Sequence, residues 1–133
     1  IIAINVLEHV KDDLFALSEL NKILKKDGVL IILVPANKFL YNVIDKNIGH
    51  WRRYSKKELI TKIKKSNFNI KNSYSFNMLG MLGWYLNGNI FKKTEINKNA
   101  SSLFDKTVPI MKVIEQILRK PIGLSIICNC QKF

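Results

Sequence analysis

Two short segments of the chain hold the side chains best suited to chemistry. One ends at His9 and the other contains His50, and a neutral imidazole titrates near physiological pH, so each can hold or move a proton. Beside His50 stand Arg52 and Arg53, in a chain whose basic residues are otherwise almost all lysine. Guanidinium groups pair with carboxylates and phosphates. We therefore expect this segment to bind an anionic group while His50 places the reacting atom; the alternative is that one arginine ties the segment to the sheet edge.

Two tyrosines belong to the same segment. Tyr41 is a weaker candidate for ligand binding, as is Asp45. Tyr54 is a candidate for ligand binding, but it also precedes Ser55, which begins the capping-box pattern Ser-Lys-Lys-Glu. Tyr54 can therefore be the apolar residue that packs against the start of a helix.

Strands and helices alternate along the chain. Continuous or alternating apolar runs predict strands at residues 1–5, 29–34, 68–76 and 124–133, with Pro35 ending the second. Helical spacing and caps predict helices from residue 11 to a stop at Gly28, over 55–66, over 78–86, and from Ser101 or Ser102 to about 120 with a kink at Pro109. Residues 36–54 and 87–99 are predicted to be connections, and one as long as 36–54 is usually functional.

This order predicts a largely parallel sheet layered with helices. Such sheets bind ligands at the carboxyl ends of their strands. The residues that follow the first two strands are 5–9 and those from Pro35 onward. We therefore expect His9 and the segment around His50 to meet at one edge of the sheet.

Composition narrows the class of protein. The chain has 133 residues, 47% of them hydrophobic, and a formal charge of +12, which fits one globular domain or part of one and excludes disordered and fibrous classes. The longest apolar run is too short for a membrane span. Lysine greatly outnumbers arginine and is spread along the chain, which favours a solvated surface over a nucleic-acid interface. Cys128 and Cys130 are expected to be reduced core residues of a cytoplasmic protein.

Four spaced motifs carry a resemblance to a known family. They are Asn-Val-Leu-Glu-His-Val at 5–10, Leu-Lys-Lys-Asp-Gly-Val-Leu at 24–30, Val-Pro-Ala at 34–36 and Gly-His-Trp-Arg-Arg-Tyr at 49–54. Together they resemble the C-terminal half of class I S-adenosylmethionine-dependent methyltransferases. Motifs between residues 79 and 125 resemble a bacterial subgroup, type 11/12-like, often found with enzymes of glycan or lipid biosynthesis.

The resemblance implies an α/β fold, a partial Rossmann-like methyltransferase sheet. Its four strands correspond to strands 4 to 7, with the last inserted antiparallel between the fifth and sixth. The first three strands, with their Gly-rich loop and ribose-binding acid, are absent, so we expect a fragment of a longer protein. Residues 1–133 are then the C-terminal part of one domain, and 77–120 form a helical cap before the last strand.

The resemblance also implies roles for single residues. Asn5, Val6, Leu7 and Glu8 are expected to line the S-adenosylmethionine pocket. Catalytic roles are expected for His9 and His50, and contacts with the methyl acceptor for Arg52, Arg53, Tyr54 and Tyr41. Methyl transfer depends mainly on an in-line approach and exclusion of water, so pocket shape should matter more than a fixed catalytic dyad.

The expected function is methyl transfer to a small, lipid-linked or glycan-linked acceptor. Peripheral membrane contact through residues 78–86 and their neighbouring lysines, and self-association through an uncovered sheet edge, are further expectations. Two alternatives stand beside it. One is a non-catalytic remnant or partner subunit, and the other is a basic polyanion-binding module, although no specific nucleic acid is expected.

Overall fold

The computed structural model describes residues 1–94, Pro109 and residues 122–133. Its strands are β1 (Ile2–Ile4), β2 (Val29–Pro35), β3 (Phe68–Phe76) and β4 (Ser125–Lys132). Its α-helices are α1 (Asp13–Ile23), α2 (Val43–Asn47), α3 (Lys56–Lys65) and α4 (Met78–Trp84). Short 3-10 turns cover Leu7–His9 and Lys38–Leu40, and a wider π-helical turn, Tyr85–Ile90, continues α4.

The four strands form one sheet in the order β1-β2-β4-β3. The short β1 runs parallel to β2, whereas β4 lies antiparallel to both of its neighbours. The expected α/β fold class is confirmed, including the insertion of the last strand between the second and third strands of the chain.

One face of the sheet carries the core. Alternate strand residues point toward α1 and α3, because side chains along a strand alternate between faces. The buried cluster is Ala3, Leu7, Leu17, Leu24, Leu30, Ile32, Val34, Ala36, Tyr54, Leu59, Ile63, Phe68, Ile126, Cys128 and Cys130. Helix α3 begins as its cap predicts, since the Ser55 hydroxyl accepts a hydrogen bond from the Glu58 amide. The Glu58 carboxylate pairs with Lys38 at 2.7 Å instead of completing a capping box.

The opposite face of the sheet is apolar and open near β1. Ile2 is 68% exposed and Ile4 is 55% exposed, and Ile31, Leu33 and Ile127 are only partly covered. Within residues 1–94 and 122–133, no strand pairs with the outer edge of β1. These are the features on which the expectation of self-association rests, and that expectation stays a prediction.

Three local predictions differ from the structure. Helix α1 ends before Gly28, and Asp27 takes the left-handed backbone, with φ of 60°. Residues 36–54 contain α2, a helix too short to leave a periodic pattern. The predicted connection at 87–99 starts as helix up to Ile90. The predicted helix from Ser101 or Ser102 lies outside the described residues except for Pro109, as does most of the predicted cap at 77–120.

No helix within the described parts of the chain is both long and apolar enough to cross a membrane.

The two cysteines are free and buried side by side on β4. Burial raises the pKa of Cys128 to about 11 and that of Cys130 to about 12. Because two pKa units are a factor of about 100 in thiolate at pH 8, we expect a thiol reagent to label native protein at least about 100-fold more slowly than protein in guanidinium. The test is colorimetric thiol counting in both states, and fast labelling of either cysteine in the native state would contradict the buried placement.

The same shifts give a pH dependence. The unfolded chain releases its thiol protons near pH 9, before the folded chain does. The folded state therefore holds more thiol protons in this range, and stability is lost as pH rises from about 9 to about 12. Urea titrations at several alkaline pH values measure this slope.

Candidate active site

The two histidines meet at the carboxyl end of β1. His9 ends the turn that follows this strand, and His50 lies near the end of the long connection after β2. Their ring centroids are 4.7 Å apart and the rings meet edge to face. The expected convergence of the two segments is therefore observed.

Backbone hydrogen bonds hold the two segments together. The Trp51 amide donates to the Glu8 carbonyl at 2.8 Å, and the His50 amide donates to the Asp45 carbonyl at 2.9 Å. Gly49, with φ of 82°, lets the chain turn so that its carbonyl lies 3.1 Å from Nδ1 of His9. Main-chain contacts thus fix the two segments and hold the His9 ring.

Asp45 organises the inner side of the site. Its fully buried carboxylate lies 2.7 Å from Nδ1 of His50, and its two oxygens share the Nε–H of Arg53 in a bifurcated hydrogen bond, each 2.9 Å from Nε. It also accepts from the Asn42 amide, which completes the capping box of α2. Sequence analysis named Asp45 only as a weaker candidate for ligand binding, although Asn42 and Asp45 have the spacing of a capping box.

Arg53 is enclosed within the protein. Its guanidinium also donates to the Ala36 carbonyl, and its Cζ atom lies 4.5 Å from the centroid of the Trp84 ring. Arg53 is buried, as is its partner Asp45, so the pair joins the long connection to β2 and to α4. These contacts give Arg53 a structural role within the protein. Binding of the acceptor by Arg53 stays a prediction.

Glu8 is the second buried carboxylate of the site. It has no solvent-exposed surface, and neither of its oxygens accepts a hydrogen bond from any residue that the structure describes. Nε2 of His50 is 3.8 Å from Oε1 of Glu8. Burial raises the pKa of the Glu8 carboxyl, because its own backbone N–H and the neighbouring side chains offset only part of the lost solvation.

A separate cluster of hydrogen bonds and ion pairs surrounds the buried Asp13 carboxylate. The Tyr54 hydroxyl donates to Asp13 at 2.8 Å, and Lys62 Nζ lies 2.6 Å from the same carboxylate oxygen. Burial opposes ionisation of Asp13, but the hydrogen bonds from Lys62 and Tyr54 outweigh it and lower the pKa. Burial also opposes ionisation of the Tyr54 hydroxyl, and here it raises the pKa. The structure gives Tyr54 a bracing contact, and its acceptor-binding role stays a prediction.

Two predicted acceptor residues lie nearer the surface. Arg52 is partly exposed, pairs with Asp13 at 3.1 Å and donates to the Lys11 carbonyl. The Tyr41 hydroxyl donates to the His50 carbonyl at 2.8 Å. A cavity of about 230 Å³ is lined by Lys38, Tyr41, Trp51, Arg52, Arg53 and Glu58. The structure thus brings three predicted acceptor residues to one cavity, and Tyr54 is not among the residues that line it.

The predicted cofactor residues divide into two pairs. Asn5, with φ of 50°, is exposed, and Val6 is 46% exposed. Leu7 and Glu8 are buried. Asn5 and Val6 therefore offer a surface at the carboxyl end of β1, whereas Leu7 and Glu8 face inward.

Comparison with known proteins identifies the fold. No protein-family model and no curated protein matches the sequence. Among solved structures, a candidate methyltransferase from Bacillus halodurans C-125 matches 98% of this chain at 16% identity and a TM-score of 0.58. Phosphoethanolamine N-methyltransferase 2 of Haemonchus contortus, solved with S-adenosyl-L-methionine, matches 98% at 15% identity and a TM-score of 0.53.

A third match has a different chemistry. The [4+2]-cyclase SpnF matches 98% of the chain at 14% identity and a TM-score of 0.54. The chain spans 68% of the Bacillus protein, 48% of SpnF and 32% of the nematode enzyme. The chain therefore has part of the class I methyltransferase fold, and this fold alone does not fix a reaction.

Proposed function

We propose that this chain supplies the acceptor-facing part of an S-adenosylmethionine-dependent methyltransferase. The observation that carries the proposal is the match of 98% of the chain to structures such as the Bacillus candidate methyltransferase and the nematode N-methyltransferase. The inserted antiparallel β4 agrees with the strand arrangement that the sequence resemblance implied. Activity, acceptor and cytoplasmic location of the whole protein are parts of this proposal.

The residues of this chain fit one side of a site for S-adenosylmethionine, which when bound supplies a methyl group on a positively charged sulfur. Asn5 and Val6 present an amide and an apolar side chain at the carboxyl end of β1. The Gly-rich turn and the ribose-binding acid that the resemblance implies are absent from the 133 residues. We therefore propose that residues outside these 133 supply the other side of the site.

The acceptor is proposed to lie between the histidines and the 230 Å³ cavity. His9 is exposed and can contact a hydroxyl or amine of the acceptor directly. Arg52 is 27% exposed at its side chain and can pair with an anionic group on the acceptor. A small, lipid-linked or glycan-linked acceptor with such a group fits these contacts, and a lipid-linked one would bring the protein to a membrane surface.

Val6→Arg tests this proposal in the protein expressed from its own gene. We expect the change to weaken binding of S-adenosylmethionine and S-adenosylhomocysteine by about tenfold or more. The larger side chain would occupy the surface on which the cofactor lies, and its charge would lose solvent without gaining a partner when the cofactor binds. Isothermal titration calorimetry measures both dissociation constants. Ile23→Arg is the matched control, since Ile23 is 71% exposed and lies at the other end of the sheet, just before β2.

Three results would count against the proposal. Absence of binding in the unaltered protein would reject it. Equal effects of Val6→Arg and Ile23→Arg would remove β1 from the cofactor site. Binding of a polyanion that falls steeply between about 50 and 200 mM salt, without cofactor binding, would favour the polyanion-binding module.

A further inference from the structure

We propose that Glu8, His9 and His50 form a binding site for one divalent transition-metal ion. Each side chain offers one ligand atom, and these atoms all lie within 4.8 Å of one another. Tetrahedral coordination at about 2.0 to 2.2 Å places ligand atoms about 3.3 to 3.6 Å apart. Small side-chain rotations therefore bring the three atoms onto a common ion, and Nε2 of His50 is already 3.8 Å from Oε1 of Glu8.

The hydrogen bonds of the two imidazoles prepare both rings for a metal. Nδ1 of His9 is 3.1 Å from the Gly49 carbonyl, which can only accept, so Nδ1 carries the proton. Nδ1 of His50 lies 2.7 Å from the Asp45 carboxylate, which fixes the same tautomer. A neutral ring then has its lone pair on Nε2, and this outer-shell arrangement is the one that metal-binding histidines typically show.

Glu8 supplies an independent indication of a ligand. A fully buried carboxylate whose oxygens accept no hydrogen bond from the described residues is costly in the folded protein. The charge of Asp45 is already taken up by Arg53, so Glu8 remains the uncompensated carboxylate. A dication between Glu8 and the two histidines would both coordinate and neutralise it.

The ligand set indicates the class of ion. Two imidazole nitrogens and one carboxylate oxygen suit zinc or iron(II) and their transition-metal neighbours better than magnesium or calcium, which prefer oxygen. The exposure of His9 leaves one side of the site open to solvent. Three protein ligands with an open position are typical of metals that bind water or an oxygen of a ligand.

Zinc binding to untagged protein, stripped of metal with a chelator, tests the site. We expect one zinc ion per chain in competition with a chromophoric chelator, and a loss of affinity of at least about 100-fold in Glu8→Gln and in His9→Ala. Because the His9 ring is exposed, its removal leaves the fold intact even where Glu8→Gln does not. Glu19→Gln is the control, since Glu19 is a surface residue paired with Lys22, and it should bind zinc as the unaltered protein does.

Cobalt(II) distinguishes this site from the cysteine pair. We expect visible d–d absorption without the intense near-ultraviolet band of a cobalt–thiolate bond, because Cys128 and Cys130 are buried in the core. A thiolate band, an absence of zinc binding, or unchanged affinity in both site variants would each overturn the proposal.

The metal site does not depend on the proposed methyl transfer. Its test measures metal alone, so failure of cofactor binding leaves its outcome unaffected, and the reverse also holds. If both proposals are correct, the ion occupies Nε2 of His9, and the acceptor is positioned by the ion in place of a direct contact with that ring.

Discussion

Arg53→Met is expected to lower the free energy of unfolding by about 3 to 5 kcal/mol. The substitution removes the guanidinium whose Nε–H donates a bifurcated hydrogen bond to Asp45, and it leaves a fully buried carboxylate without its main compensating charge. It also removes the cation that stacks on Trp84. Chemical denaturation followed by circular dichroism measures the change.

The adjacent arginine is the matched control for this substitution. Arg52→Met removes a partly exposed ion pair with Asp13, which keeps its contacts with Lys62 and Tyr54. Solvent-exposed pairs contribute about 0 to 1 kcal/mol, so a small loss is expected. Similar losses of unfolding free energy in the two variants would contradict the stabilising role given to the buried Arg53–Asp45 pair.

Gly123→Ala is expected to lower the free energy of unfolding by about 3 kcal/mol or more, at or beyond the upper end of typical overpacking costs. A methyl group at this position would overlap the backbone carbonyl of Phe76, and backbone atoms cannot rotate away as side chains do. The same stretch supplies the Gly123 carbonyl to Asn37 and the Leu124 carbonyl to the Ala36 amide. A displacement of Gly123 would therefore disturb the hydrogen bonds of Ala36 and Asn37, which directly follow β2.

Gly83→Ala provides the control for that prediction. Gly83 lies in α4, and a methyl group there meets no atom within 4 Å among the described residues. Alanine favours helix over glycine by about 0.5 to 1 kcal/mol, so this variant should be equally or more stable. Thermal unfolding of the two glycine variants side by side measures the difference, and a tolerated Gly123→Ala would contradict the close approach to Phe76.

The sequence was most informative where cap signals bound an apolar segment. The strand at 68–76 has the predicted ends, because its first apolar residue, Phe68, follows shortly after Ser66, the C-cap of α3. Helix α2 was missed, since five residues are too few to show a helical period. Its signal was the capping pair Asn42 and Asp45 rather than any apolar stripe.

The site was predictable in place but not in side-chain direction. The carboxyl-end rule correctly placed His9 near His50, because it depends only on strand order. The direction of the Arg53 side chain depends on Asp45, which lies eight residues earlier in the chain. Asp45 is placed beside Arg53 by α2, the helix that sequence analysis missed. In the same way, the hydroxyl of Tyr54 bonds Asp13, 41 residues earlier, and no local pattern encodes that contact.

The central place of β4 has a consequence for biosynthesis. The strand joins β2 to β3, yet it is made after both of them. Until residues 125–132 leave the ribosome, each of the two earlier strands has an unpaired edge where the last one will insert, and such edges pair readily with other chains. These edges are therefore open to pairing with other chains until β4 is synthesised, and the four-stranded sheet can form only after that point.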